Sequence, residues 1–319
     1  MKILVTGAAG FLGRRLLTEL LAGRTAVPAV SRVIAADLAP CPIDDPRLES
    51  RVGDITDAGF ISAIVDRDVR VIWHLAAVLS GQSEAEFDVG LRVNVDATRA
   101  LLDRARTLDT PLRFVFSSTI AALGAPLPDV VPEDQVLQPK SSYGVAKVIA
   151  ETLVSEYSRR GFVEGIACRV PTVAIRPGKP NSALSSFVSG IIREPLAGID
   201  AVCPVPLDTR VWITSPSVAT TNLAHAATVP ASALEDRRVV NLPGLSVTPA
   251  EMLDSLERLG GAAARQRVRV EIDPHTARIV GTWPGAFDVS RALSLGFHAE
   301  GDIDSIVRQF MAERGSLRS

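Results

Sequence analysis

Short runs of Val, Ile and Leu alternate with stretches of helical spacing from the first residues onward. Lys2 to Thr6, Val33 to Ala36, Val71 to Leu75 and Arg113 to Phe116 are apolar at successive positions, the pattern of strands covered on both faces. After the first of these, Leu12, Leu16, Leu17, Leu20 and Leu21 recur at helical spacing, and Gly23 stands where a helix would stop. This alternation predicts βαβ units and an α/β fold with a doubly wound parallel sheet. From about Pro177 the texture changes. Pro177, Pro180, Pro195, Pro204, Pro206 and Pro216 break the alternation and predict loops and short elements over the edge of the sheet. The chain therefore divides into a core domain at 1–176 and a small C-terminal lobe at 177–319, with some segments of the lobe returning to the core. Within the lobe, Thr248-Pro249-Ala250-Glu251 combines a hydroxyl cap, a Pro at the first helical position and a Glu that starts a helix.

Composition narrows the function classes. The chain has 319 residues, 47% hydrophobic and 22% charged, and no apolar run reaches the roughly 20 residues of a membrane helix. Neither a membrane nor a secretory leader is expected from Met1-Lys2-Ile3-Leu4-Val5, so we expect a cytoplasmic address. Cys41, Cys168 and Cys203 are widely spaced, and His74, His225, His275 and His298 stand singly, so neither disulfides nor a metal site is expected. A net charge of −2 without a basic cluster gives no long-range attraction for nucleic acid.

The first strand hands over to the first helix through Thr6-Gly7-Ala8-Ala9-Gly10-Phe11-Leu12-Gly13. Free N–H groups at such a helix start point at whatever lies above the turn, and a pyrophosphate fits there. Gly7 permits the tight turn, Gly10 lets backbone approach the phosphates, and Gly13 lets helix and strand pack closely. Ala9, Phe11 and Leu12 complete the expected cradle. Asp37 follows Gly13 by 24 residues, at the end of the second strand, near the distance at which a carboxylate meets an adenosine ribose. A 2′-phosphate would be repelled by Asp37, and no Arg stands in Leu38 to Asp45 to receive one, which predicts NAD rather than NADP. Asp54 and Ile55, after the third strand, are further candidates beside the adenine; an ordinary turn Asp has the same sequence.

Ser141-Ser142-Tyr143-Gly144-Val145-Ala146-Lys147 opens a helix, and residues four apart on a helix share a face, so Tyr143 and Lys147 are neighbours. A Tyr of ordinary pKa near ~10 is a poor base at neutral pH, but an adjacent ammonium and a positive nicotinamide both favour phenolate. Upstream, Ser117-Ser118-Thr119 places hydroxyls at the carboxyl end of a strand, where open α/β sheets bind ligands.

Thr-Gly-x-x-Gly-x-x-Gly, His74-Leu75-Ala76-Ala77, Asn94-Val95, Ser117-Ser118-Thr119 and Tyr143-x-x-x-Lys147 together resemble the extended short-chain dehydrogenase/reductase superfamily, in its epimerase-like group. The resemblance spans essentially the whole chain. It implies a Rossmann domain with a small substrate-binding lobe, Thr119 as the catalytic hydroxyl with Ser118 beside it, and Asn94 as a supporting helix residue. It further implies backbone of Leu75, Ala76 and Ala77 along the cofactor, with Pro171 and Val173 completing the lining. More narrowly, Arg169-Val170-Pro171-Thr172-Val173, Arg176-Pro177-Gly178-Lys179-Pro180-Asn181 and Ser189-Gly190-Ile191-Ile192-Arg193-Glu194-Pro195-Leu196 are similar to the D-erythronate dehydrogenases, a family that oxidises the C2 hydroxyl of a four-carbon sugar acid with NAD. Such a substrate needs a cation for its carboxylate, and Arg176, Lys179 and Arg210 lie in the candidate lobe; each also suits a structural ion pair. Ser80 and Asn181 are candidate partners for the remaining hydroxyls. Leu123-Gly124 stands where epimerases of the group carry Tyr-Gly, and Ala97 where a Gly often follows Asn-Val, which weakens the epimerase reading. A nucleotide-sugar epimerase or dehydratase that retains its NAD, and a catalytically silent NAD-sensing protein, are the alternatives. Amphipathic segments at Val93 to Leu108 and Tyr143 to Tyr157 suggest pairing between subunits in a homodimer.

Overall fold

A computed structural model describes residues 1–178 and 184–316. In chain order the strands are β1 (Lys2–Thr6), β2 (Arg32–Asp37), β3 (Leu48–Val52), β4 (Val69–His74), β5 (Arg113–Thr119), β6 (Glu164–Val170), β7 (Thr172–Val173), β8 (Ala201–Cys203), β9 (Val211–Thr214), β10 (Val239–Asn241), β11 (Leu245–Val247) and β12 (Val268–Val270). Seven of them build the central sheet in the order β10-β6-β5-β4-β1-β2-β3, with every neighbouring pair parallel. The chain runs outward from β1 through β2 and β3, then restarts at β4 on the other side of β1. That reversal opens a crevice above the carboxyl ends of β1 and β4, where doubly wound sheets take their ligands.

The helices that cover the sheet are α1 (Phe11–Leu21), α2 (Ala58–Ile64), α3 (Ser80–Ala85), α4 (Phe87–Leu91), α5 (Ala97–Ala105) and α6 (Ser142–Arg159), followed in the lobe by α7 (Ser186–Leu196) and α8 (Pro216–His225). Side chains alternate between the sheet's faces. Ile3 and Val5 pack with Leu16, Leu17 and Leu20 of α1 and Leu223 of α8. Leu4 points the other way, into Leu101 and Leu102 of α5 and Val154 of α6. Each such fully buried aliphatic side chain contributes roughly 1.5–3 kcal/mol of transfer free energy, so the two layers fix the sheet before any polar contact is counted.

A third apolar cluster joins Val188, Ile191 and Ile192 of α7 to Met252, Leu253 and Leu256 and to Ile306 and Val307, under a small sheet of order β11-β9-β7 and the pair β12-β8. The capping box at Thr248 forms as its sequence predicts. The prolines mislead elsewhere. Pro195 lies inside α7 and Pro216 occupies the first turn of α8, where a missing N–H costs nothing, so this half holds helices of 11 and 14 residues (α7 and Ile303–Ser316) rather than only short elements. The lobe also returns to the core: β10 extends the central sheet beside β6, and Trp73 donates its indole N–H to the Leu223 carbonyl at 2.7 Å. No helix among the described residues is long and apolar enough to cross a membrane.

Candidate active site

The loop after β1 is shaped by contact with β4. Gly7 has φ +70°, and a Cβ there would lie 2.7 Å from the Ala76 nitrogen, so only glycine fits the turn. A Cβ on Gly13 would lie 2.2 Å from the Gly7 carbonyl oxygen, which brings α1 tight against the loop. Gly10 is the N-cap of α1 and offers no side-chain cap, so the first amides of the helix face a cavity of about 630 Å³. Phe11, Leu12 and Gly13 line it with Gly7 and Gly10, while Ala9 instead donates its N–H to the Asp37 carboxylate at 2.9 Å. That bond ties the end of β2 to the loop.

One end of the cavity is walled by Asp37, Asp54 and Ile55. The Thr56 backbone N–H and hydroxyl, bonded to Asp54, hold its carboxyl below the usual range, with Arg92 adding a smaller attraction. Backbone of Leu75, Ala76 and Ala77 forms the floor, Pro171 and Val173 a side wall, and Thr119, Tyr143 and Lys147 the other end. The residues fit a dinucleotide: an uncapped helix start, a carboxylate at the end of β2, and one continuous cavity from there to the Tyr. Val78, Gln82, Val89 and Arg92 also line it, and no motif marked them. Val89 and Val93 share a face at i, i+4, a periodicity that pointed to packing rather than to a ligand wall.

Ser141 caps α6 by accepting the Gly144 N–H, which sets Tyr143 and Lys147 on one stripe. Lys147 is almost wholly buried; its ammonium donates to the Ser117 carbonyl at 2.8 Å and lies 4.6 Å from the Phe116 ring centroid and 5.6 Å from that of Tyr143. Burial pushes the Lys147 amine down to about 8, with the Glu151 carboxylate opposing. Burial also pushes the Tyr143 phenol up to about 12. The Lys147 ammonium is one of the two positive groups expected to favour phenolate, and in the chain itself burial outweighs it. Thr119 accepts the Ala121 N–H at 3.2 Å, leaving its own proton free to donate into the cavity.

Ser118 behaves differently from its neighbours because alternation along β5 turns its side chain toward α6. Its hydroxyl donates to Glu151 at 2.5 Å, and the residue, 3% exposed, still contributes to the cavity lining. Asn94 sits in a π-helical turn, Arg92–Asp96, and does not line the cavity; its side chain bonds both the N–H and the C=O of Val78 at 2.9 Å. Beneath the floor, His74 bridges the Thr6 and Thr98 hydroxyls at 2.7 and 2.9 Å, and its burial drives its pKa down to about 3.

Of the candidate substrate residues, Arg176 lines the cavity. Its main chain is pinned by Ser189, which accepts the Arg176 N–H at 3.1 Å, and by Arg193, which donates to the Arg176 carbonyl at 2.8 Å. Its guanidinium makes no hydrogen bond or ion pair among the described residues. Arg210 is exposed, reaches Ser246 at 3.3 Å and stands outside the cavity lining, as does Ser80 at the start of α3. Lys179 and Asn181 lie outside the described residues.

The sequence profile of the NAD dependent epimerase/dehydratase family matches residues 3–212. The chain belongs to this family. A D-erythronate dehydrogenase from Cupriavidus necator is 47% identical over 99% of this chain and 99% of its own length, and one from Haemophilus influenzae is 39% identical over 98% and 99%. The crystal structure of a nucleoside-diphosphate-sugar epimerase from Agrobacterium tumefaciens matches with a TM-score of 0.91 at 39% identity, covering 96% of this chain and 92% of that one. As a member of this family the protein is an NAD-dependent oxidoreductase acting on CH–OH groups, and its seven-stranded parallel sheet is the Rossmann-type fold expected from the sequence.

Proposed function

We propose that the protein oxidises the C2 hydroxyl of a small sugar acid of the D-erythronate type to the 2-oxo acid, with NAD in preference to NADP. The observation that carries this reading is Arg176, a guanidinium without a side-chain partner among the described residues, on the wall of the cavity that also holds Thr119, Tyr143 and Lys147. A half-buried cation of this kind calls for an anion, and a carboxylate matches its planar fork in two parallel hydrogen bonds. The names of the two dehydrogenase relatives support the same substrate class.

Gly7, Gly10, Phe11, Leu12 and Gly13 would hold the pyrophosphate, Asp37 the ribose, and Asp54 and Ile55 the adenine. Bound there, NAD supplies the hydride acceptor. Thr119 donates a hydrogen bond to the substrate's reacting oxygen and fixes its position, while Tyr143 removes the hydroxyl proton and the hydrogen on C2 leaves as hydride. The phenol needs help to do so, because burial holds it near 12. Positive charge beside it favours phenolate. Lys147, anchored on the Ser117 carbonyl, brings part of that charge, and a positive ring in the cavity adds the rest. Asn94 keeps the Val78 segment of the wall in place.

The test is nicotinamide absorbance during incubation with D-erythronate and a panel of sugar acids, NAD and NADP compared. We expect net NADH with a C2-hydroxy acid, weaker turnover with NADP, and a loss of roughly 10²–10⁴-fold on Tyr143→Phe with NAD affinity retained. Near-normal turnover by that variant would refute the role of Tyr143. The Agrobacterium match supports a second reading, an epimerase that retains its NAD. Interconversion of nucleotide sugars without net NADH would establish it.

A further inference from the structure

Glu151 lies four residues beyond Lys147 on α6 and eight beyond Tyr143, on the same stripe of the helix. It is 2% exposed, and its carboxylate is fully engaged: one oxygen accepts from the Ser118 hydroxyl at 2.5 Å and the Arg169 Nε at 2.9 Å, the other from Arg169 Nη2 at 2.7 Å. Arg169, on β6, is 6% exposed and passes a further bond to Asn241 on β10 at 3.3 Å. A fully buried ion pair rarely stabilises a fold better than apolar residues of the same volume, so its presence here asks for another reason.

The reason lies in what each member touches. Ser118 stands between Ser117, whose carbonyl receives the Lys147 ammonium, and Thr119, whose hydroxyl faces the cavity. We propose that Glu151, clamped by Arg169, is a positioning residue: through Ser118 it fixes the end of β5, and through its charge it keeps Lys147 an ammonium. This rests on the roles given above to Tyr143, Lys147 and Thr119. The groups facing the Lys147 amine are Tyr143 and Glu151 from α6, the Ser117 carbonyl and Phe116 ring from β5, and neutral His74 from β4. Among them Glu151 is the only carboxylate. It opposes the burial that depresses the amine.

The experiment compares Glu151→Gln, the doubly neutral Glu151→Gln/Arg169→Gln and Ser118→Ala with the parent enzyme. For each, thermal unfolding, the Kd for NAD by tryptophan fluorescence and the pH profile of kcat are measured. The double variant guards against misfolding, since Glu151→Gln alone leaves Arg169 buried and unpaired. Removing the carboxylate lets Lys147 lose its proton more readily, so the alkaline fall of kcat should begin about one pH unit lower in Glu151→Gln, and by less in the double variant, which also removes the Arg169 cation. kcat should drop about tenfold in all three, with the Kd for NAD within about threefold of the parent value; a full ~1 Å misplacement of a catalytic group can cost about 10²-fold, and tenfold corresponds to a smaller drift. A folded double variant with the parent's kcat and pH profile would overturn the proposal, as would a lowered melting temperature with kinetics otherwise unchanged. Tyr143→Phe, run alongside, separates the two questions: if it stays active the assignment of the base fails, whereas if it is dead and the Gln variants are normal only the role of Glu151 fails.

Discussion

Arg176 shows how much a single side chain decides. Burial and the neighbouring Arg193 both make its guanidinium less comfortable as a cation than it would be in water. Arg193 is itself neutralised by Glu194 at 2.5 Å, whereas Arg176 has no such carboxylate among the described residues. A charge held in that condition gains most from an anion that arrives with the substrate. Arg176→Leu should raise KM for the sugar acid at least tenfold, the equivalent of the roughly 1.5–3 kcal/mol of one charged hydrogen bond, with the Kd for NAD unchanged. Arg176→Lys should recover only part of the loss, because an ammonium cannot make two parallel bonds. Steady-state kinetics on both variants check this, and an unaltered KM would move the carboxylate site elsewhere.

At the scale of elements, the strand-to-helix turn after β1 is held by steric exclusion. Gly7→Ala places a methyl group against the backbone of Leu75 and Ala76 in a left-handed conformation, which costs about 1–2 kcal/mol for the conformation alone. Urea unfolding should show at least that loss, and NAD binding should weaken at least tenfold because the loop must shift; a variant that folds and binds normally would show that the turn has slack. This turn was readable in the sequence for the same reason that it is rigid: Gly7, Gly10 and Gly13 lie within one short stretch. The Tyr143–Lys147 pair was readable too, since helical geometry alone makes neighbours of residues four apart. What local spacing cannot display is contact between distant elements. Ser118, Glu151, Arg169 and Asn241 come from two strands, a helix and the lobe, so their joining had no signature. Nor did the π-helical turn that carries Asn94 to Val78, or the bond from the Ser118 hydroxyl to Glu151. Pro216 was misread because Pro is equally at home in a loop and in the first turn of a helix, whereas Pro177, Pro204 and Pro206 do lie in loops.

Across the whole molecule, buried polar groups tie stability to acidity. His74 is neutral in the fold, with its pKa near 3 against an ordinary 6.5. Between those values the unfolded chain binds a proton that the native chain refuses. Stability gained at neutral pH is therefore lost as pH falls from about 6.5 toward 3. Chemical unfolding from pH 7 to 4 should show that decline, and His74→Gln, less stable at pH 7, should show a shallower one by up to one proton. Parallel curves for the two proteins would assign the acid sensitivity to other groups.

β10 and α8 belong by sequence to the second half of the chain and by packing to the first. Severing the gene near residue 176 would strip β6 of its outer neighbour, leave Arg169 without Asn241 and uncover the indole of Trp73. Any evolutionary exchange of the substrate-facing part for another must therefore bring along a replacement strand and helix for the nucleotide-facing part. New specificities should accordingly arise by point substitution on the cavity wall, not by transplanting the lobe as a cassette.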